Sequence, residues 1–261
     1  MCLDHNEFDF YRYFLNHSNH IEGIPLDMIA YHYYSIGHNR TDPNDWESFF
    51  TQFDPFIEEV KQIEQIRKSL SPQTRTTIDE LGVIHPDDNS PTAEQFPLIY
   101  WNAASAFYAY AWGVLSQQGI DVIAHSQLVG YPQITKLNFS PNYPSVTMLN
   151  WTTGEGTAKY WTTKLLIETA QIDRDHAVET QTSDSTGQII YTQAFLGENQ
   201  RKWILIVNKR FVHVQVQLSG FVGAQMFTID ESTANSPPKQ TILSSNIIDL
   251  NPFAVLIIRT S

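Results

Sequence analysis

Phe49, Phe50, Phe53, Phe56, Ile57, Val60, Ile63 and Ile66 recur every three or four residues, the spacing of a helix with one buried face. Asp42 and Pro43 ahead of them supply an N-cap and a first-turn proline, so the pattern predicts one helix from about Asp42 to Ser71-Pro72. A second long helix is expected after Pro97, through Tyr100, Ala104, Phe107, Tyr108, Ala111 and Val114, ending at Gly119. Shorter helices are expected over Phe8 to Asn16 and from about Thr157 to Thr169. Between them lie runs suited to strands: Leu26 to Tyr34, Thr74 to Leu81, and Ile120 to His125. Long helices alternating with strands imply a parallel sheet with right-handed crossovers. The stretch from Ser126 to Trp151 is longer than a connector needs to be and is a candidate functional loop.

At His176 the pattern changes to short strands and polar turns. Strands are expected near Ala177–Thr182, Ile189–Leu196, Lys202–Asn208, His213–Leu218, Ala224–Asp230, Thr241–Ile248 and Phe253–Arg259, which suggests an antiparallel sandwich. The expected division is therefore an α/β unit over residues 1–175 and an all-β unit over residues 176–261.

The strand from Thr74 carries the most pointed chemistry. It delivers Asp79-Glu80-Leu81 and is expected to stop at Gly82. Its alternation sends Asp79 and Glu80 to opposite sides, so the two are not expected to act as a dyad. A carboxylate at the C-terminal end of a strand that follows a long helix fits a catalytic position in a β/α barrel. Glu80 is the candidate.

Composition narrows the classes. The 261 residues carry a formal charge of -12 and lack the clustered Lys and Arg that a phosphate backbone requires, so no nucleic-acid partner is expected. Aromatic residues make up 13%, which tilts the reading slightly toward sugar-stacking surfaces, with Trp101 and Trp151 as candidates. The single cysteine, Cys2, cannot form an internal disulfide. No apolar run approaches the roughly 18 residues of a membrane span. The first residues lack the charged-then-apolar order of a signal peptide, whereas sequons stand at Asn16, Asn39, Asn138 and Asn150. His32, His38, His85 and His125 lie on separate connections without ligand spacing, so no metal is expected. No Gly-x-Ser-x-Gly elbow surrounds Ser126, and Gly119-Ile120-Asp121 lacks the remaining glycines of a dinucleotide fingerprint.

Several ordered motifs together resemble the family-39-type glycoside hydrolases, members of the clan of retaining glycosidases built on a β/α barrel. They are Pro25-Leu26-Asp27 running into Tyr31-His32-Tyr33-Tyr34, Ile66 to Pro72 running into Asp79-Glu80-Leu81-Gly82, Tyr100-Trp101-Asn102-Ala103-Ala104, Ser126 to Pro132, and Leu205 to Lys209. The resemblance implies a partial (β/α)8 barrel of about strands six to eight, followed by an accessory β-sandwich. It implies a retaining O-glycoside hydrolase with a carbohydrate substrate and no cofactor, secreted in its complete form. Glu80 falls at the nucleophile, and His32 and Tyr34 fall where the clan orients the nucleophile or touches the sugar. His125 and Gln127, with Trp151, are the further expected substrate contacts. The clan's acid/base Glu ends the fourth strand in an Asn-Glu pair, and Asn6-Glu7 matches it in letters only. The expectation is therefore an N-terminally truncated fragment, inactive alone, with an unpartnered sheet edge near Leu26–Tyr31. The alternative is a non-catalytic carbohydrate-binding remnant or scaffold.

Overall fold

The computed structural model describes residues 2–3, 6–90, 93–129, 145–150, 153–170, 175–184, 186–197 and 200–260. The first part of the chain runs β1 (Cys2–Leu3), α1 (Phe8–Leu15), β2 (Met28–Ile36), α2 (Pro43–Trp46), α3 (Ser48–Leu70), β3 (Arg75–Ile84), α4 (Leu98–Ser116), β4 (Val122–His125) and α5 (Ala158–Thr169). Its strands form one sheet in the order β1-β2-β3-β4, and all three pairings are parallel. The edge expected to stand open near Leu26–Tyr31 has a partner, because Cys2 pairs with Ala30 and Leu3 with Tyr31. A two-residue strand carries too little pattern to be read from sequence.

The long helix expected from Asp42 is two helices. The Asp42 carboxylate accepts the Asn44 N–H at 2.9 Å and starts α2, and α3 begins at Ser48. Every apolar position that the periodicity assigned to α3's inner face is buried. Phe53 meets Phe107 of α4 edge to face at 5.3 Å, so aromatic rings fill the space between the two helices. α4 is buried on nearly all sides, since it lies between the parallel sheet and the second half of the chain. Its run of alanines lets both neighbours approach.

The second half holds β5 (His176–Val178), β6 (Ile190–Leu196), β7 (Lys202–Asn208), β8 (Val214–Gln217), β9 (Gln225–Ile229), β10 (Lys239–Ile242), β11 (Ile247–Leu250) and β12 (Val255–Arg259). Six of them form an antiparallel sheet in the order β10-β9-β12-β7-β6-β5, while β8 and β11 pair separately. The expected single strand over Thr241–Ile248 is divided. β10 ends at Ile242 in the large sheet, and β11 begins at Ile247 in the small one. Local pattern cannot tell one strand from two when the break lies in which partner each half finds.

One face of the large sheet, with Phe195, Trp203, Leu205, Val207, Val255 and Ile257, joins the core around α4. The other face, with Ile190, Ile204, Ile206, Leu256 and Ile258, packs a second core against Ile248 and Leu250 of β11. Strands covered on both sides lose their polar alternation, which is why β7 and β12 read as continuous apolar runs.

Candidate functional site

β2 keeps strict alternation. Ile29, Tyr31, Tyr33 and Ser35 turn inward, leaving His32 and Tyr34 together on the opposite, half-buried face. β3 does not alternate in this way. Tyr31 pairs with Ile78 but His32 pairs with Glu80, so Asp79 is an extra residue bulged out of the ladder. The bulge resets the phase: Ile78 is buried, Asp79 and Glu80 are both exposed, and Leu81 is buried again. The strand also continues through Gly82 to Ile84 rather than stopping at the glycine.

The expected separation of the two carboxylates therefore fails. His32 stands between them, with Nε2 3.1 Å from Asp79 Oδ1 and Nδ1 3.5 Å from Glu80 Oε2. The side chains of His32, Asp79 and Glu80 are 34%, 45% and 48% exposed, so water screens these contacts and they position more than they stabilise.

Tyr34 completes the group. Its phenolic oxygen lies 2.8 Å from Glu80 Oε2 and 2.7 Å from Ser126 Oγ. A phenol has one hydrogen and an ionised carboxylate only accepts, so Tyr34 donates to Glu80 and takes the Ser126 hydroxyl hydrogen on its own oxygen. Ser126 is buried at the end of β4. Its N–H donates to the Leu81 carbonyl at 2.8 Å, and its own carbonyl accepts from the Tyr108 hydroxyl. Burial holds the Tyr108 phenol well above its usual range, which keeps it a donor. Gly82 leaves room for the arrangement: a Cβ there would lie a tight 3.1 Å from the Ser126 carbonyl oxygen and 3.2 Å from the Tyr34 ring. The peptide between Ser126 and Gln127 is cis.

Of the residues singled out from sequence, Glu80, His32 and Tyr34 are brought together. His125 is not. It pairs across the ladder with Leu81, so it faces the helices. Its Nδ1 lies 2.8 Å from Thr163 Oγ1, and its ring packs 4.3 Å from that of Tyr108. Burial, reinforced by the nearby Lys159, depresses its pKa to about 3, so it is neutral. Gln127 follows Ser126, with its backbone tied to Val146 and Met148. Trp151 lies outside the described residues, as does Asn138. Sequence reasoning missed Ser126 and Tyr108 as supports of Tyr34 and missed Asp79 as the second partner of His32. Only the bulge and the β3–β4 register reveal them.

Ser145, where the described chain resumes, is firmly tied. Its hydroxyl donates to Asp88 and accepts the His85 N–H, while its carbonyl accepts from fully buried Lys159 at 2.7 Å. Among the described residues no group of three or more His, Cys, Asp or Glu side chains is arranged to hold a metal ion, and no helix is long and apolar enough to cross a membrane.

No protein-family model and no curated protein matches the chain. Solved structures do. The GH51 arabinofuranosidase from Xanthomonas axonopodis pv. citri superposes with a TM-score of 0.69 at 12% identity, over 99% of this chain and 57% of that one. The thermostable GH51 alpha-L-arabinofuranosidase of Thermotoga petrophila RKU-1 gives 0.62 at 12%, over 100% of this chain and 57% of its own. A Paenibacillus polymyxa family 44 xyloglucanase gives 0.58 at 13%, over 97% and 51%. The chain thus spans little more than half the length of each. At this identity the likeness shows the fold: this chain has a mixed α/β fold similar to that of glycoside hydrolases.

Proposed function

We propose that the chain carries the nucleophile side of a retaining O-glycoside hydrolase acting on carbohydrate, of the family-39 type. In this reading residues 1–175 are part of a β/α barrel and residues 176–261 an accessory β-sandwich. The observation that carries it is the seating of Glu80, half-exposed on a parallel sheet and held by the Tyr34 hydroxyl at 2.8 Å and His32 at 3.5 Å. A carboxylate aimed by a hydroxyl donor is what attack on an anomeric carbon needs. His32 sets its orientation, and Ser126 sets that of Tyr34.

Retaining hydrolysis needs a second carboxyl about 5–5.5 Å from the first, to protonate the leaving oxygen. The carboxylate joined to this group is Asp79, a chain neighbour on the same strand and not across the sheet from Glu80. That observation favours the second reading, in which the chain binds carbohydrate without cleaving it. In the first reading the acid/base is supplied from outside the described residues.

An activated 2-deoxy-2-fluoro glycoside separates the two. Its dinitrophenolate leaving group departs without protonation, so a competent nucleophile is labelled even where the acid is absent. Arabinofuranosyl and glucosyl reagents are the ones to try first, given what the similar enzymes act on. The expected result is a glycosyl adduct on the peptide containing Glu80, lost in Glu80→Gln. An adduct on another carboxylate overturns the assignment, and carbohydrate binding with no adduct supports the second reading.

A further inference from the structure

A polar cleft of about 660 Å³ lies between α4 and the β5–β6 edge of the large sheet, and shares no lining residue with the Glu80 group. Lys209 is its most unusual lining residue. It is only 4% exposed, and its ammonium has no hydrogen-bond acceptor or ion-pair partner among the described residues. What it has instead is the face of Tyr110, 4.6 Å from the ring centre, with Phe50 at 5.9 Å. A largely buried cation that packs on aromatic faces and has no hydrogen-bond acceptor is incompletely satisfied. Desolvation accordingly pushes the Lys209 pKa down, against the opposing pull of Asp54.

The rest of the cleft is built to meet hydroxyl groups. Tyr191 is seated against Gly113, where a Cβ would lie 2.6 Å from its hydroxyl oxygen, so that position must stay glycine for the ring to fit. The Gln117 side-chain amide donates to the Tyr191 oxygen at 3.2 Å and also to Gln193 Oε1. The Gln193 amide nitrogen is used up on the Val178 and Ala194 carbonyls. This leaves the Tyr191 hydroxyl hydrogen and the Gln117 carbonyl oxygen unengaged, a donor beside an acceptor, as a vicinal pair of hydroxyls requires. Asp54, whose carboxylate accepts from Tyr110 at 3.1 Å, and Glu179 also line the cleft, and their negative charge disfavours a dianion.

We infer that this cleft binds a sugar acid, a monocarboxylate bearing hydroxyl groups, with the carboxylate on Lys209 and the hydroxyls on Tyr191 and Gln117. The inference does not depend on Glu80 being a nucleophile. A charge-assisted bond to a desolvated ammonium distinguishes an acid from its neutral ester by about tenfold or more.

The test is an NMR titration of the ¹⁵N-labelled chain with D-glucuronate, its methyl ester and D-glucose, following the backbone amides of Gln117, Tyr191 and Gln193. Glucuronate is expected to shift them saturably, with the ester and glucose weaker by about tenfold or more. Lys209→Met is expected to abolish that discrimination. Equal binding of acid and ester, undiminished glucuronate binding in Lys209→Met, or no saturable shift with glucuronate overturns the inference. If Lys209→Met does not fold, the comparison of acid with ester on the unaltered chain decides by itself.

Discussion

Acid should weaken this protein through His85, and the size of the effect follows from where the ring sits. His85 is 1% exposed, and neither ring nitrogen has a hydrogen-bond partner among the described residues. Its neighbours are Phe96 at 4.9 Å, Tyr100 at 5.4 Å and Phe49 at 6.3 Å, and a Cβ on Gly37 would lie 2.2 Å from Nε2. Burial first, and the Arg40 guanidinium second, lower its pKa to about 4, although Asp88, Asp87 and Asp45 pull the other way. Between pH 6.5 and about 4 the unfolded chain therefore holds a proton that the folded chain does not. The stabilisation from the neutral ring is full above pH 6.5, declines by about 1.4 kcal/mol per pH unit on acidification, and is gone below pH 4, a total of about 3 kcal/mol. Almost complete burial leaves little solvent screening to discount.

His85→Leu removes this titration at similar volume and also removes two unsatisfied nitrogens, so near neutral pH it should be close to neutral or mildly stabilising. Urea denaturation of both proteins at several pH values isolates the effect, because the ionisable groups remote from His85 are common to both. The wild type should fall behind the variant steadily from pH 6.5 to about 4. A stability difference that stays constant across that window would refute the account of His85 as a buried neutral ring.

Tyr34→Phe deletes one hydroxyl that serves both Glu80 and Ser126; at a half-exposed carboxylate the lost bond is worth about 1.5 kcal/mol, so labelling by the activated fluoroglycoside should slow about tenfold with unfolding free energy nearly unchanged. An unchanged labelling rate would remove Tyr34 from the site. Glu64→Ala should cost about 3–5 kcal/mol in urea denaturation, because it removes the counter-charge of the buried Arg67 guanidinium, which Glu64 holds at 2.7 and 2.9 Å, leaves it the Thr74 and Pro72 carbonyls, and deprives the Thr76 hydroxyl of its acceptor. A loss below about 1 kcal/mol would show that water reaches Arg67 in the variant.

Whatever depends on one element's own period is legible in the linear order of residues. The three-to-four spacing of the phenylalanines makes α3 a helix with a single inner face, and all of its expected inward positions are buried. Period two in β2 puts His32 and Tyr34 on one face, and the apolar run Lys202–Asn208 matches β7 residue for residue. Hydrophobic burial acts on each residue separately, so its imprint survives in the linear order.

What depends on which strand meets which emerges only in the folded chain. The Asp79 bulge arises from the register between β2 and β3, and that register turns two opposed carboxylates into neighbours of one imidazole. Pairing of Leu81 with His125 sends the histidine toward the helices and presents the inconspicuous Ser126 to Tyr34 instead. The division of Thr241–Ile248 between two sheets and the pairing of Cys2–Leu3 onto β2 are partner choices of the same kind. Backbone hydrogen bonds between strands are formed by peptide groups that every residue carries, so their register leaves almost no mark on the side-chain sequence.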